Sequence, residues 1–216
     1  MKKVFVFATI ILVAIVLLNQ AQVQKHHQVS VQVQTVKHGL SSSADMMIST
    51  AGTIVRINQL DPAQYNSQAD YTTWAYSACS PTAMAEIMNR HGMHLRVADV
   101  LAVEAGLHEI TPDLGMLNGV ESIQRTVGHY GFQARSMNNP SLDTLIQTAN
   151  STPVIVGFPP ALWSGGHVLV VRGGDSQFVY LTDSSRLNMQ AMGRATFMKY
   201  WVGFAVVVTP GIGGQQ

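Results

Sequence analysis

Residues 71–92 read YTTWAYSACSPTAMAEIMNRHG and hold the one cysteine of the chain, Cys79, directly before a segment with helical spacing of apolar residues. Ser80 suits the N-cap of that helix, and Pro81 suits its first position, where no N–H is needed. We therefore predict that Cys79 lies at a helix N-terminus. Free backbone N–H groups and the helix dipole lower a thiol pKa there from about 8.5 to roughly 3.5–7.5 when a cationic partner is near. The pattern is typical of a nucleophilic thiolate, and the alternative is a small apolar residue buried under a helix start.

Composition limits the function classes open to the chain. Its 216 residues, 47% of them hydrophobic, suffice for one substantial core, and we expect a monomer. The net charge is +1 and only 12% of residues are charged, so there is no basic surface for nucleic acid, and we predict no nucleic-acid partner. The eight histidines are scattered, and one cysteine cannot form a paired-cysteine zinc site. We expect neither a metal nor another cofactor.

Residues 1–20 have the features of an export segment. Lys2 and Lys3 precede an uninterrupted apolar run at 4–18, and polar residues follow it. The run is short for a spanning helix, which needs about 20 residues, and the cleavage signal after it is poor. A cleaved signal peptide and a retained membrane anchor both remain open. Either one predicts an extracytoplasmic protein, secreted or held on the outer face of the membrane by this segment alone.

Export also bears on the cysteine. An exported protein with a single cysteine has no partner for an internal disulfide, so its thiol is either an intermolecular link or a free reactive group.

The rest of the chain divides by composition. Residues 21–50 are rich in Gln, Val, Ser and His and lack the large apolar groups needed to fold alone, which predicts a polar flexible tether. The alternation VSVQVQTV within it also permits an edge strand. We place the folded domain at 51–210 and a flexible tail at 211–216.

Within the domain, helical patterns come first and strand patterns second. After the Cys79 helix, further helices are predicted at 97–105, 115–130 and 141–149. Strands are predicted at 153–158, 168–172, 178–182 and 204–209, with a turn at 173–175 and a short helix at 195–200. Helices followed by an antiparallel sheet indicate an α+β fold.

A thiolate nucleophile needs a base, a group that orients the base, and donors for the oxyanion. His167 opens one hairpin strand directly after two glycines, and Asp183 ends the partner strand. If the hairpin closes at 173–177, the imidazole and the carboxylate can meet at its base. Each residue alone has an ordinary structural explanation, a core histidine or a turn aspartate. With Cys79 upstream, the three together predict a Cys–His–Asp triad.

Four segments in this order, SACSPTAMAEIMNRHG, GGHVLVVRGG, FVYLTDSS and FMKYWVGFAVVV, resemble the papain-like cysteine peptidases. The resemblance is to the branch of bacteriocin-processing, double-glycine leader peptidases and their stand-alone relatives, and it covers about residues 56–209. It implies a papain-like fold, with an N-terminal helical half that carries the cysteine packed on a C-terminal antiparallel sheet. It also implies that Cys79 is the nucleophile, His167 the general base and acid, and Asp183 the orienting residue.

The resemblance further implies an oxyanion-hole glutamine upstream of the cysteine. Gln59, in RINQLDP, matches the family context better than Gln68, although the spacing differs from that of the family. The backbone N–H of Cys79 can contribute to the same hole. Relatives often have glycine where this chain has Ser80.

Three functions remain open from the sequence. The first is an exported cysteine peptidase that acts on a peptide or protein through a thioester acyl-enzyme. The second is an acyl transferase of the transglutaminase kind, in which an amine replaces water. The third is a catalytically inactive module that still binds peptides in the substrate cleft of the peptidase fold. The presence of Cys79, His167 and Asp183 argues against this third function. Double-glycine specificity is not carried over, because export would separate the enzyme from such leaders.

Overall fold

The structure is a computed structural model that describes residues 53–211. The predicted export segment at 1–20, the tether at 21–50, the first two residues of the predicted domain and the tail beyond residue 211 lie outside the described residues. Within the described range, no helix has both the length and the apolar character needed to span a membrane.

The helices follow the predicted order. They are α1 (Gln68–Trp74), α2 (Cys79–Arg90), α3 (Val97–Gly106), α4 (Val120–His129), α5 (Leu142–Ala149) and α6 (Arg194–Tyr200). The strands are β1 (Ile110–Thr111), β2 (Gly115–Met116), β3 (Phe132–Ser136), β4 (Val154–Phe158), β5 (His167–Gly174), β6 (Phe178–Thr182), β7 (Ala191–Gly193) and β8 (Ala205–Pro210).

Six strands form one sheet in the order β3-β8-β4-β5-β6-β7, and every neighbouring pair is antiparallel. The strands β1 and β2 pair separately. Helices followed by an antiparallel sheet confirm the predicted α+β class.

The central strand β5 shows why the sheet is buried on both faces. Val168 and Val170 pack into a cluster with the apolar residues of α2 and α4. Leu169 and Val171 point the other way, into a cluster with residues of α5 and α6. A strand covered on both faces has a continuous apolar sequence rather than an alternating one. Helix α2 therefore lies on one face of the sheet, beside β5, which begins at His167.

The predicted helix at 115–130 is wrong in its first turn. Gly115 and Met116 form β2, which pairs with β1, and α4 begins only at Val120. Gly119, which precedes α4, has a φ of 57°, a left-handed conformation that interrupts a helix and suits glycine.

Several short elements were not predicted. Strand β3 alternates buried Phe132 and Ala134 with exposed residues, but at five residues it shows that alternation only briefly. Strand β7 has three residues and α1 has seven, so neither is long enough to display a clear period.

Candidate active site

Cys79 is the first residue of α2 and is partly exposed. The predicted capping arrangement is wrong, because Ala78 occupies the N-cap and no side chain caps this helix. Ser80 and Pro81 lie inside the first turn instead. The hydroxyl of Ser80 is buried and lies 2.9 Å from a carboxyl oxygen of Glu104 on α3. The N-terminus of α2 thus presents its backbone N–H groups beside the thiol without a competing side-chain acceptor.

His167 and Asp183 meet at the end of the β5–β6 hairpin. The hairpin register pairs Val170 with Thr182, so both residues lie at the same end of the two strands. Nε2 of His167 lies 2.7 Å from Oδ1 of Asp183, and both side chains are buried. The structure therefore brings the two residues together as the sequence predicted.

Asp183 is held by more than the imidazole. Its carboxylate accepts hydrogen bonds of 2.9 Å from the backbone N–H and the hydroxyl of Ser185 and from the backbone N–H of Met189. Burial opposes ionisation, but the hydrogen bond with His167 and these N–H groups lower the pKa of Asp183 to about 2. A fixed negative charge therefore faces the imidazole at neutral pH.

The thiol also interacts with this imidazole. Burial would raise the pKa of Cys79, but the hydrogen bond and charge of His167, with backbone N–H groups of the helix start and β5, lower it below its ordinary value. Burial would lower the pKa of His167, yet Asp183 and Cys79 raise it to about 9. Because Nε2 faces Asp183, Nδ1 is left for the thiol. Both shifts favour a thiolate–imidazolium pair, which supplies a nucleophile and a proton carrier near neutral pH.

A sequence model of the peptidase C39 family matches residues 74–212, which is more than half of the chain. The chain belongs to the peptidase C39 family. It is therefore a cysteine peptidase, as predicted, and its α+β fold is the predicted papain-like one. A comparison with curated proteins finds no match.

Solved structures with similar folds include the peptidase domain of Streptococcus ComA, a bifunctional ABC transporter involved in quorum sensing. It is 19% identical, with 73% of this chain and 99% of that one covered and a TM-score of 0.56. A C39-like peptidase from Bacillus anthracis is 13% identical, with 72% and 94% covered and a TM-score of 0.50. A double glycine motif protease from an AMS/PCAT transporter, in complex with a leader peptide, is 14% identical, with 75% and 95% covered and a TM-score of 0.48.

In this C39 peptidase, Gln59 is buried and Gln68 is exposed on α1. Oε1 of Gln59 accepts a 2.7 Å hydrogen bond from the hydroxyl of Ser184, the neighbour of Asp183. Nε2 of Gln59 donates a 2.8 Å hydrogen bond to the carbonyl of Ala75, which precedes the cysteine helix. The amide of Gln59 thus bridges the chain segments that carry Asp183 and Cys79. Among the described residues, the side chain of Gln68 is hydrogen-bonded only to Thr72 on its own helix.

Trp163 is a neighbour of the site that sequence reasoning missed. Its ring stacks on the imidazole of His167, with centroids 6.5 Å apart and an interplanar angle of 23°. Trp163 is half-buried and also contacts the ring of Phe158, so the indole is held beside the imidazole. An aromatic residue shortly before the Gly-Gly-His segment was the available signal.

Two buried glutamates near the site were also missed. Glu86 on α2 is 1% exposed, and burial raises its pKa to about 8. Its Oε1 accepts a 2.8 Å hydrogen bond from the backbone N–H of Ile57, while Oε2 has no partner within the part of the chain that the structure describes. Glu104 on α3 is fully buried against Ser80. Glutamates in helices normally indicate a solvent-facing side, so the sequence pattern carries no sign of either.

Among residues 53–211, no three His, Cys, Asp or Glu side chains are grouped so that they could hold a metal ion.

Proposed function

We propose that this C39 peptidase is an exported enzyme that hydrolyses amide bonds of a peptide or protein with Cys79, His167 and Asp183. One observation carries the proposal. A partly exposed thiol at a helix start and a buried carboxylate share a single imidazole, with Nε2 of His167 2.7 Å from Asp183.

In the first half of the reaction, the thiolate of Cys79 attacks the carbonyl carbon of the scissile bond and forms a tetrahedral oxyanion. The imidazolium of His167 then gives its proton to the departing amine, the carbon–nitrogen bond breaks, and a thioester remains. Asp183 keeps Nε2 occupied, so the proton to be transferred stands on the ring nitrogen that faces the thiol.

In the second half, a water molecule attacks the thioester carbonyl. His167, now neutral, takes a proton from that water, and the collapse of the second tetrahedral intermediate releases the carboxylic acid product. The sulfur leaves as a thiolate beside the imidazolium, which restores the starting ion pair. An amine in place of water would give acyl transfer, and no contact in the site favours that outcome.

The oxyanion needs hydrogen-bond donors close to the start of α2. The backbone N–H of Cys79 is one donor, because it belongs to the unpaired first turn of the helix. We assign the second to the side-chain amide of Gln59, whose Nε2 has a second hydrogen besides the one given to Ala75. Its contact with Ser184 fixes the orientation of that amide.

Export rests on residues 1–20, where two lysines precede an apolar run. The proposal places the described domain outside the cytoplasm, with membrane contact through the N-terminal segment alone and with peptides or proteins as substrates. Fractionation of cells that express the full chain tests this placement, and recovery of the protein in the cytoplasm would contradict it.

The catalytic proposal is tested with a thiol-directed peptidyl electrophile and mass measurement of the intact protein. We expect one adduct on the wild type at neutral pH and none on Cys79→Ser, because the chain has no second cysteine. A peptide panel that includes a double-glycine leader is then incubated with and without an added primary amine. Hydrolysis products in both conditions support a peptidase, and amine-capped products as the main species would indicate a transferase.

A further inference from the structure

A buried carboxyl group lies behind the nucleophile, outside the triad. Ser80, which follows Cys79, and Glu104 on α3 are both fully buried. The hydroxyl of Ser80 lies 2.9 and 3.1 Å from the two carboxyl oxygens of Glu104. A neutral carboxylic acid satisfies this geometry completely. The Ser80 hydroxyl donates a hydrogen bond to the carbonyl oxygen of the acid and accepts one from the protonated oxygen.

The pair lies where charge matters most for the reaction. The thiolate and the developing oxyanion are both stabilised by the positive end of α2, which begins at Cys79. Glu104 contacts Ser80, the residue that follows Cys79, and it is shielded from solvent. A negative charge on Glu104 would therefore oppose that potential at close range. A neutral acid leaves the potential intact and still holds the first turn of α2 through Ser80.

We propose that Glu104 is a positioning residue that acts through Ser80, holding the nucleophile in place while it is protonated and suppressing turnover when it ionises at alkaline pH. This inference rests on the proposed function of Cys79 and His167. Glu104 takes no part in the triad itself, and the enzyme is most active while this buried glutamic acid is neutral.

The surroundings of Glu104 keep it neutral near physiological pH. Burial raises its pKa to about 8, against the effect of the Ser80 hydrogen bond, and the charges at Cys79 and Glu109 raise it further. These two are the titratable groups that face it, Cys79 from α2 and Glu109 from beyond the end of α3.

Glu109 remains charged beside Glu104. A hydrogen bond from Asn118 and the guanidinium of Arg125 on α4 hold the pKa of Glu109 below its usual range. Of these two buried glutamates, Glu109 is paired with Arg125 and ionised. Among residues 53–211 no cation pairs with Glu104, which keeps its proton near neutral pH.

The first test is the pH dependence of kcat/KM in the wild-type full chain. We expect the alkaline fall to begin with the ionisation of Glu104 at about 8, below the pKa of about 9 of His167. Glu86 ionises in the same pH range, so the lower step belongs to Glu104 only if Glu104→Gln removes it, and a lower step that persists in that variant overturns the inference.

The second test is Glu104→Gln, which keeps the hydrogen bond to Ser80 and cannot ionise. The pH at which kcat/KM falls should then rise by roughly one unit in the variant. At a pH where the wild type has begun to lose activity, the variant should be about tenfold more active than the wild type. Glu104→Leu also cannot ionise, so the alkaline fall of its kcat/KM should shift as far as that of Glu104→Gln. Because leucine loses the hydrogen bond to Ser80, kcat should be lower than in the wild type at every pH. Glu121→Gln, on the exposed side of α4, is the matched control and should keep the wild-type profile.

The outcomes separate the two proposals. Suppose that the wild type hydrolyses peptide and needs His167 to do so. If Glu104→Gln then shows the same alkaline fall in kcat/KM as the wild type, this inference fails and the proposed function stands. If Cys79→Ser or His167→Ala retains full activity, the proposed function itself fails. A folded Glu104→Gln protein is recognised by stoichiometric labelling of Cys79 at neutral pH.

Discussion

His167 and Asp183 are sixteen residues apart in the chain, yet Nε2 of the imidazole and Oδ1 of the carboxylate lie 2.7 Å apart. The contact exists because β5 and β6 are antiparallel neighbours, so the start of one strand lies beside the end of the next. It fixes the orientation of the ring and leaves Nδ1 for the thiol.

Asp183→Asn should keep the fold and the thiol but lower turnover. An amide cannot stabilise the imidazolium as a carboxylate does, and an orienting aspartate contributes about 10⁴ in a serine triad. A preformed ion pair depends less on that group, so we expect a loss in kcat on the order of 10–10³. The measurement is kcat on a cleaved peptide, with Cys79 titrated to count active sites.

Asp175→Asn is the control for that change. Asp175 lies in the β5–β6 turn, where its carboxylate accepts hydrogen bonds from the backbone N–H groups of Gln177 and Phe178. Asparagine keeps an acceptor oxygen there, so activity should stay near wild type. If Asp175→Asn is damaging and Asp183→Asn is silent, the role assigned to Asp183 is wrong.

His167→Ala should slow the alkylation of Cys79 at neutral pH. The imidazolium lowers the pKa of the thiol, so its removal raises that pKa and reduces the thiolate fraction. At pH 7 an ordinary thiol is only a few per cent ionised, which predicts an alkylation rate lower by roughly 10–50-fold. The check is the alkylation rate against pH, whose midpoint should move upward in the variant. If the wild type and His167→Ala have the same midpoint, Cys79 and His167 do not form an ion pair.

Gln59→Ala should lower kcat more than it raises KM, because an oxyanion donor acts mainly on the transition state. Loss of one such donor costs about 10²–10³ in kcat in a protease. Gln68→Ala is the matched control, since Gln68 is exposed on α1 and bonded only to Thr72, and it should have no effect. Because Gln59 also bonds Ser184 and Ala75, the unfolding temperature of each variant is measured alongside. Unchanged kcat in folded Gln59→Ala protein would exclude the assignment.

Glu86→Gln should change how stability depends on pH. Burial raises the pKa of Glu86 from 4.5 to about 8 in the folded protein. Between these values the folded state holds a proton that the unfolded state has released, so stability falls as pH rises through this window. Each such group contributes a slope of up to about 1.4 kcal/mol per pH unit.

The glutamine variant lacks this slope, so it should gain stability over wild type progressively from pH 5 towards pH 8. Urea unfolding at several pH values measures the difference, with Glu121→Gln as an exposed control. A stability difference between Glu86→Gln and wild type that is the same at every pH would show that Glu86 is already ionised in the folded protein.

Much of the fold could be read from local patterns. The helix predicted at 141–149 is α5, with Ser141 as its N-cap, and the apolar run at 154–158 forms a central strand. The predicted helix at 115–130 failed because a two-residue strand pair at β1 and β2 takes its first turn, and a partner so short leaves no periodic signal.

The sequence by itself determined that a helix starts at Cys79, because a helix start is a local event set by a few neighbouring residues. It also determined that His167 and Asp183 would meet, because a hairpin is local too. Tertiary structure alone decided which glutamine lies near Asp183, since Gln59 and Ser184 are 125 residues apart. It also decided that Ser80 faces Glu104 rather than capping its own helix. Contacts of this kind depend on how helices and sheet pack, and one-dimensional spacing does not encode the packing.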